Sequence, residues 1–261
     1  VVQRWEAAMK DDPFKKYNPL TVTDYANALR IWTVNWLNRP ASELNRGDAR
    51  EIIQNLETEG RSRKYQVNIK NIVNVIFDWA IEERLIRHIH ESPMRGLKID
   101  KNKIEKVPDI FTLEEIKTLL REAKNLNHPW YPVWVLALLT GMRNGELHAL
   151  LWTDVDFENR KLTVSKSYNT RLRSVKSTKA GYWRTVPMSD ELFAFLKHLH
   201  EQRNGNESVL PRFREWNTGE QAAILRTFCK SIGLPSIRFH ALRACFATQL
   251  LAHDIAPARV M

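Results

Sequence analysis

Cysteine is nearly absent: Cys229 and Cys245 are the only two in 261 residues. Two thiols are too few for a disulfide framework or a cysteine zinc site, and they fit a reduced cytosolic setting. Long hydrophobic runs are missing as well. No stretch approaches the roughly 18 to 20 uncharged apolar residues that a bilayer span needs, and the opening "VVQRWEAAMKDDPFKKY" has no signal-peptide core. The expectation is a cytoplasmic protein with no membrane partner. There is no internal repeat and no low-complexity tract. Acid is missing from one long segment, since between Asn159 and Ser189 there are eight basic residues and no Asp or Glu. Tyrosine is missing from the end, with none after Tyr182. An initiating methionine is missing too, and the chain stops at Val260-Met261 partway through a helical pattern, so it is expected to be part of a longer protein.

What is present is positive charge. Forty Lys and Arg against thirty Asp and Glu give a net charge of +10, which favours a polyanionic partner such as nucleic acid over a membrane surface. The length exceeds the usual single-domain size and predicts two domains. Residues 1–95 read as a small helical domain, because "TVTDYANALRIWTVNWLNR", "RGDAREIIQNLETEG" and "RSRKYQVNIKNIVNVIFDWAIEERLI" all carry apolar residues at helical spacing. Residues 96–108, charged and aperiodic beside Pro93 and Pro108, read as a linker. Residues 109–261 open on a capping box, Thr112 with Glu115, and a Phe111–Ile116 staple. They continue into mixed structure. "TDVDFENRKLTVSK" reads as a hairpin and "WRTVPM" as a third strand after the loop "SVKSTKAGY"; helices follow from Ser189 onward. The fold class is α+β, mostly helical with a small antiparallel three-stranded sheet.

The acid-free segment holds Arg160, Lys161, Lys166, Arg171, Arg173, Lys176, Lys179 and Arg184. Such a run is often only a solvated face, but on a loop-rich sheet in a basic chain it suggests phosphate contact. "RSRKYQVNIK" is a second basic stretch, on a helix of the first domain. The candidate DNA-binding residues are therefore Arg61, Arg63, Lys64, Lys70, Arg171, Arg173 and Lys176, on two domains that would clamp a duplex.

Arg143 raises a sharper question, because a permanent charge follows the apolar run "LALLTG" directly. Thr140-Gly141 ends one helix and "NGELHALLW" starts another, so Arg143 should sit beside unsatisfied helical N–H groups and a positive dipole end, an anion site. Glu146 is its nearest carboxylate partner. Arg243 follows His240 at helical spacing, with Leu242, Phe246 and Leu250 on a different face to anchor that helix. Arginines can stabilise the charge that builds on a phosphodiester under attack, while a histidine and a lysine move protons. The pair Asp154 and Asp156 is the only carboxylate cluster that a metal-dependent nuclease could use, and the reading requires neither metal nor cofactor.

Taken in order, "LLTGMRNGELHALLWTDVDF", "KSTKAGYWRTVPM" and "RFHALRACFATQLL" resemble the three signature regions of the tyrosine recombinase, or phage-type integrase, family. The resemblance spans nearly all of residues 111–261, and "TVTDYANAL" with "VIFDWAIEERLI" is similar to the family's core-binding domain. It implies that Arg143 and Arg243 bind the scissile phosphate, that Lys179 is the general acid to the 5′-oxygen, that His240 handles a proton, and that Glu146 is a structural partner. It further implies site-specific recombination of double-stranded DNA through a 3′-phosphotyrosyl link, without metal, by a homo-tetramer on DNA encoded by a bacterium or phage. Ala241 and Cys245 depart from the acid and the polar residue frequent at these positions. The attacking tyrosine would lie beyond Met261, so the 261 residues are expected not to cleave. A non-catalytic DNA-binding relative of the same fold is the alternative.

Overall fold

The computed structural model describes residues 1–12, 17–99, 110–177 and 183–252. The chain divides into two compact units, Val1–Glu105 and Lys106–Met261. Most of the segment read as a linker, residues 100–108, lies outside the described residues.

The first unit is helical: α1 (Val2–Lys10), α2 (Pro19–Trp32), α3 (Arg46–Thr58) and α4 (Arg63–Glu82). Each start has a local cause. Asn18 accepts from the Leu20 N–H with Pro19 at the first position, Asn45 and Asp48 form a reciprocal capping box, and Ser62 accepts from the Tyr65 N–H. The helix expected over 21–39 stops at Trp32. There Thr33 turns its hydroxyl back onto the Leu29 carbonyl at 2.7 Å, and a single 3₁₀ turn takes over. The apolar faces meet in a core built on Trp5, Val22, Leu29, Leu56, Ile69, Ile76 and Met94. Each of these large side chains contributes about 1.5–3 kcal/mol by burial.

The second unit has its own core and is α+β. It runs α5 (Leu113–Asn125), α6 (Tyr131–Thr140), α7 (Asn144–Ala149), strands β1 (Val155–Asp156), β2 (Lys161–Val164), β3 (Lys166–Asn169), β4 (Ser174–Ser177) and β5 (Arg184–Pro187), then α8 (Asp190–Glu201), α9 (Arg214–Thr218), α10 (Gln221–Ser231) and α11 (Phe239–Ala252). The Thr112–Glu115 capping box forms as expected, and Phe111 and Ile116 are both buried in the same core. The three-stranded antiparallel sheet is ordered β1-β2-β5, with Val155 opposite Leu162 and Leu162 opposite Val186. The segment read as a loop from Ser174 differs: β4 pairs antiparallel with β3 in a second, two-stranded ribbon, Tyr168 opposite Val175. The face of α11 differs also. Phe239, Leu242 and Cys245 are buried, whereas Phe246 and Leu250 are only half-buried. The helix is rotated so that the Cys245 thiol takes the Phe111 N–H at 3.2 Å. Among the described residues no helix is long and apolar enough to cross a membrane.

Candidate active site

The site begins where α6 stops. This helix is buried on nearly every side, from Val133 to Thr140, and it ends at Gly141 in the left-handed region with φ 59°. The residue must be glycine for a second reason, since a Cβ there would run into the Phe246 ring of α11. Thr140 reinforces the stop by donating to the Leu136 carbonyl and accepting from the Met142 N–H. The chain then re-enters helix at Asn144 with Arg143 as the flanking residue, its backbone extended at φ −70°, ψ 152°.

Three guanidinium groups meet around one carboxylate. Glu146 is 2% exposed and accepts from the Arg143 backbone N–H at 2.8 Å and from its Nη1 at 3.0 Å. Arg184 of β5 forks onto the same carboxylate, with Nη1 to Oε1 at 3.0 Å and Nη2 to Oε2 at 2.7 Å. Burial pushes the Glu146 pKa up, but the Arg184 hydrogen bonds and those from Arg143 outweigh it and hold the group below the usual carboxylate range. Arg243 of α11 donates to the Gly141 carbonyl. Its pKa is lowered, first by burial and then by the nearby charges of Arg143 and Arg184, with Glu146 opposing. Three cations against one anion leave a positive excess. Arg143, whose side chain is 56% exposed, presents that excess to solvent.

The source of the charge differs from the expectation. With six residues α7 is too short for a substantial dipole, and Glu146 already satisfies the Arg143 N–H. The positive excess comes from the side chains. Arg184 is the residue sequence reasoning missed as a site member, having been counted only in the basic run. Its signal was present in the strand: Arg184 shares the sheet face of Val186, which is buried, so alternation turns it inward. His240 sits exposed in the first turn of α11, three residues before Arg243. Lys179 lies outside the described residues, as does Tyr182.

Behind α7 a second polar cluster braces the helix. His148 is buried, its ring stacked on Tyr168 of β3 at 3.9 Å between centroids and 15° between planes, with Trp216 edge-on at 4.9 Å. Its Nε2 meets the Asn217 amide oxygen at 3.1 Å and its Nδ1 meets Arg212 Nη1 at 3.3 Å. An amide oxygen can only accept and a guanidinium can only donate, so the ring carries its proton on Nε2. Burial, then the Arg212 charge, lowers the His148 pKa to about 4, so the ring is neutral at physiological pH. Trp216 also donates to the Asn144 side chain at 2.8 Å, tying α9 to the first residue of α7.

The basic residues divide between internal and solvent-facing duties. Arg160 pairs with Asp190, Lys161 with Asp156 and Lys166 with Asp154. Asp154 and Asp156 thus serve separate local partners, the Leu151 N–H and Lys166 for one, Asn159 and Lys161 for the other. Arg171, Arg173 and Lys176 are exposed on the β3–β4 ribbon. In the first unit Arg63 is held by Glu57 and Gln66, and Lys70 donates to the Leu97 carbonyl. Lys64 is exposed, and Arg61 lies over the Trp32 and Tyr65 rings at 5.3 and 5.7 Å.

Residues 109–261 match the model of the phage integrase family. The chain belongs to that family. It is 30% identical over 235 residues to a XerC-like tyrosine recombinase of Caldanaerobacter subterraneus subsp. tengcongensis, an alignment covering 77% of this chain and 58% of the relative. The fold is that of the Tn1549 transposon integrase, solved in complex with transposon right end DNA (TM-score 0.80, 22% identity, 99% of this chain and 89% of the other). It is also that of the lambda integrase bound to DNA (TM-score 0.73, 18% identity, 100% and 88%). The integrase chain spans about half the length of the curated relatives it matches.

Proposed function

We propose that this chain is the DNA-binding and catalytic part of a site-specific tyrosine recombinase that breaks and rejoins double-stranded DNA. The observation that supports it most is the cluster of Arg143, Arg184 and Arg243 around the buried Glu146. That arrangement leaves net positive charge at an exposed guanidinium, suited to a phosphodiester that gains charge under attack. In this reading Arg143 and Arg243 bind the non-bridging oxygens and Glu146 positions Arg143. Lys179 gives its proton to the departing 5′-oxygen, and His240 handles a proton at the same phosphate. A tyrosine oxygen attacks phosphorus, forming the 3′-phosphotyrosyl bond as the 5′-oxygen bond breaks, which conserves the bond for religation to another strand. No tyrosine after Tyr182 is present to do this, and Tyr168 is committed to the His148 stack. The 261 residues alone are proposed to bind DNA without forming an adduct, and the working assembly to be a homo-tetramer on DNA.

The first unit acts as the core-binding domain, with Arg61 and Lys64 as its leading phosphate contacts, and Arg173 and Lys176 contribute from the ribbon. Trapping on nicked suicide duplexes tests the reading. The complete gene product is expected to yield a covalent protein–DNA adduct, and Arg143→Ala or Arg243→Ala to reduce its formation by about 10²–10³ while duplex binding persists. Adduct formation untouched by both substitutions would refute the assignment. So would an adduct from the 261-residue chain mapped to Tyr168 or Tyr182.

A further inference from the structure

The His148 cluster contains a cation that the recombination chemistry does not use. Arg212 lies in the segment leading into α9 and is exposed overall. Its guanidinium touches His148 Nδ1, and among the described residues that neutral nitrogen is its one hydrogen-bond partner, with no carboxylate in an ion pair with it. Other arginines around α7 are treated differently: Arg143 and Arg184 share Glu146. A guanidinium fixed by a neutral acceptor keeps its whole charge, whereas one fixed by a carboxylate loses most of its field. The fixing is itself secured, because Asn217 takes the Nε2 proton and leaves the Nδ1 lone pair for Arg212. The Tyr168 stack and the Trp216 edge hold the ring in place. Four side chains thus orient one cation that no carboxylate compensates, part of it packed so that burial lowers its pKa and the rest open to solvent.

We infer that Arg212 is a DNA-backbone contact, a pre-oriented phosphate ligand separate from the Arg143–Arg243 site and positioned by His148 and Asn217. Geometry suits it. Arg143 flanks the start of α7 and His148 stands five residues later, so the two cations are anchored at opposite ends of a helix about 9 Å long. Phosphates recur about every 3.4 Å along one strand of a duplex, so a duplex bound at Arg143 carries others for a second cation to meet. The contact reads no base and adds affinity whatever the sequence. Asn217 and His148 act through Arg212 and are positioning residues.

The inference rests on the DNA-binding reading above, and the salt dependence of duplex binding tests it in the 261-residue chain. Arg212→Gln removes the charge but keeps an amide N–H that can still donate to His148; Arg212→Lys keeps the charge. The expected result is that Arg212→Gln lowers the slope of log K against log salt by about 0.9, one phosphate's worth, with an unchanged thermal melt, while Arg212→Lys retains the wild-type slope. A Gln variant with the wild-type slope overturns the inference, and so does a Lys variant that loses as much slope as Gln. A Gln variant that no longer melts cooperatively overturns it too, since it marks a cation needed for folding. Should the wild-type chain itself show no salt-dependent duplex binding, the DNA-binding reading falls first and this contact with it.

Discussion

In the phosphate site proposed above, Arg184 has a supporting duty, since both of its Nη groups are spent on Glu146. Its fork neutralises Glu146, which otherwise would draw Arg143 inward as a buried, partly paired carboxylate. Arg184→Met is therefore expected to cost about 3 kcal/mol in urea unfolding, the range for orphaning a buried ion-pair partner, and to weaken duplex binding at fixed salt. Adding Glu146→Gln to Arg184→Met should restore much of both, because the orphaned charge is gone. If the double variant binds no better than Arg184→Met, Arg184 is contacting DNA directly. His148 gives a pH signature. Its folded pKa of about 4 lies below the ordinary 6.5, so between those values the unfolded chain holds a proton that the folded chain does not. Its contribution is complete above about pH 6.5 and shrinks as pH falls toward 4, by roughly 1.4 kcal/mol per unit and about 3 kcal/mol in total. His128, also lowered by burial, adds to the same limb. Glu146, whose folded pKa is depressed, adds a further loss only as pH falls below the ordinary carboxylate value. Urea midpoints of the His148→Phe chain should fall less between pH 7 and pH 5 than those of wild type; parallel curves would show that His148 is not the group titrating.

Short elements carry the site, and their contacts decide how closely they pack. α7 lies against β3 at Gly145, where a Cβ would stand 2.5 Å from the Tyr168 carbonyl oxygen and 2.6 Å from the Ser167 hydroxyl. One atom is backbone, so the strand itself would have to shift. Gly145→Ala is expected to destabilise by about 1–3 kcal/mol as an overpacked contact, and chemical denaturation should show it as a lowered midpoint. An unchanged midpoint would mean that the ribbon moves freely from α7. The same contact explains what the sequence reading reached and what it missed. β1, β2 and β5 alternate apolar and polar residues, with Leu162, Val164 and Val186 facing a core, so period two was visible. In β3 all four residues are half-buried, because the ribbon packs on α7 with backbone and polar atoms as well as with Tyr168. No alternation marked it. The remaining clue was Asn169, whose amide oxygen accepts from the Arg171 and Leu172 N–H groups in the turn between β3 and β4. α11 was legible in part: Leu242 enters the core and Phe246 packs against Gly141 as its face implied, but Cys245 rather than Leu250 joins Leu242 in the core.

At the scale of the whole molecule, the resemblance singled out Arg143, Glu146 and Arg243 by motif spacing, and the structure brings these three together at the end of α6. Arg184 carried a local sign in the inward alternation of its strand, but its partner Glu146 lies 38 residues away, and the partner of Arg212 lies 64 residues away, a separation that no local pattern encodes. Charge is distributed over both units, with Arg61 and Lys64 exposed on one and Arg143, Arg173 and Lys176 on the other. Each unit has its own buried core. Two modules of modest affinity gain from a tether, because once one is bound the other meets the same duplex at an effective concentration in the millimolar range. A protease site inserted between Lys101 and Lys106 separates that gain from the contacts themselves, since cutting it removes no basic side chain from either unit. Before cutting, duplex affinity should match wild type; after cutting it should fall by about 10² or more at constant salt, and Arg61→Gln with Lys64→Gln should lower the salt slope of the uncut chain by about two contacts' worth. Affinity unaltered by the cut would place all the binding in one unit, and the slope of the doubly substituted chain would then show which.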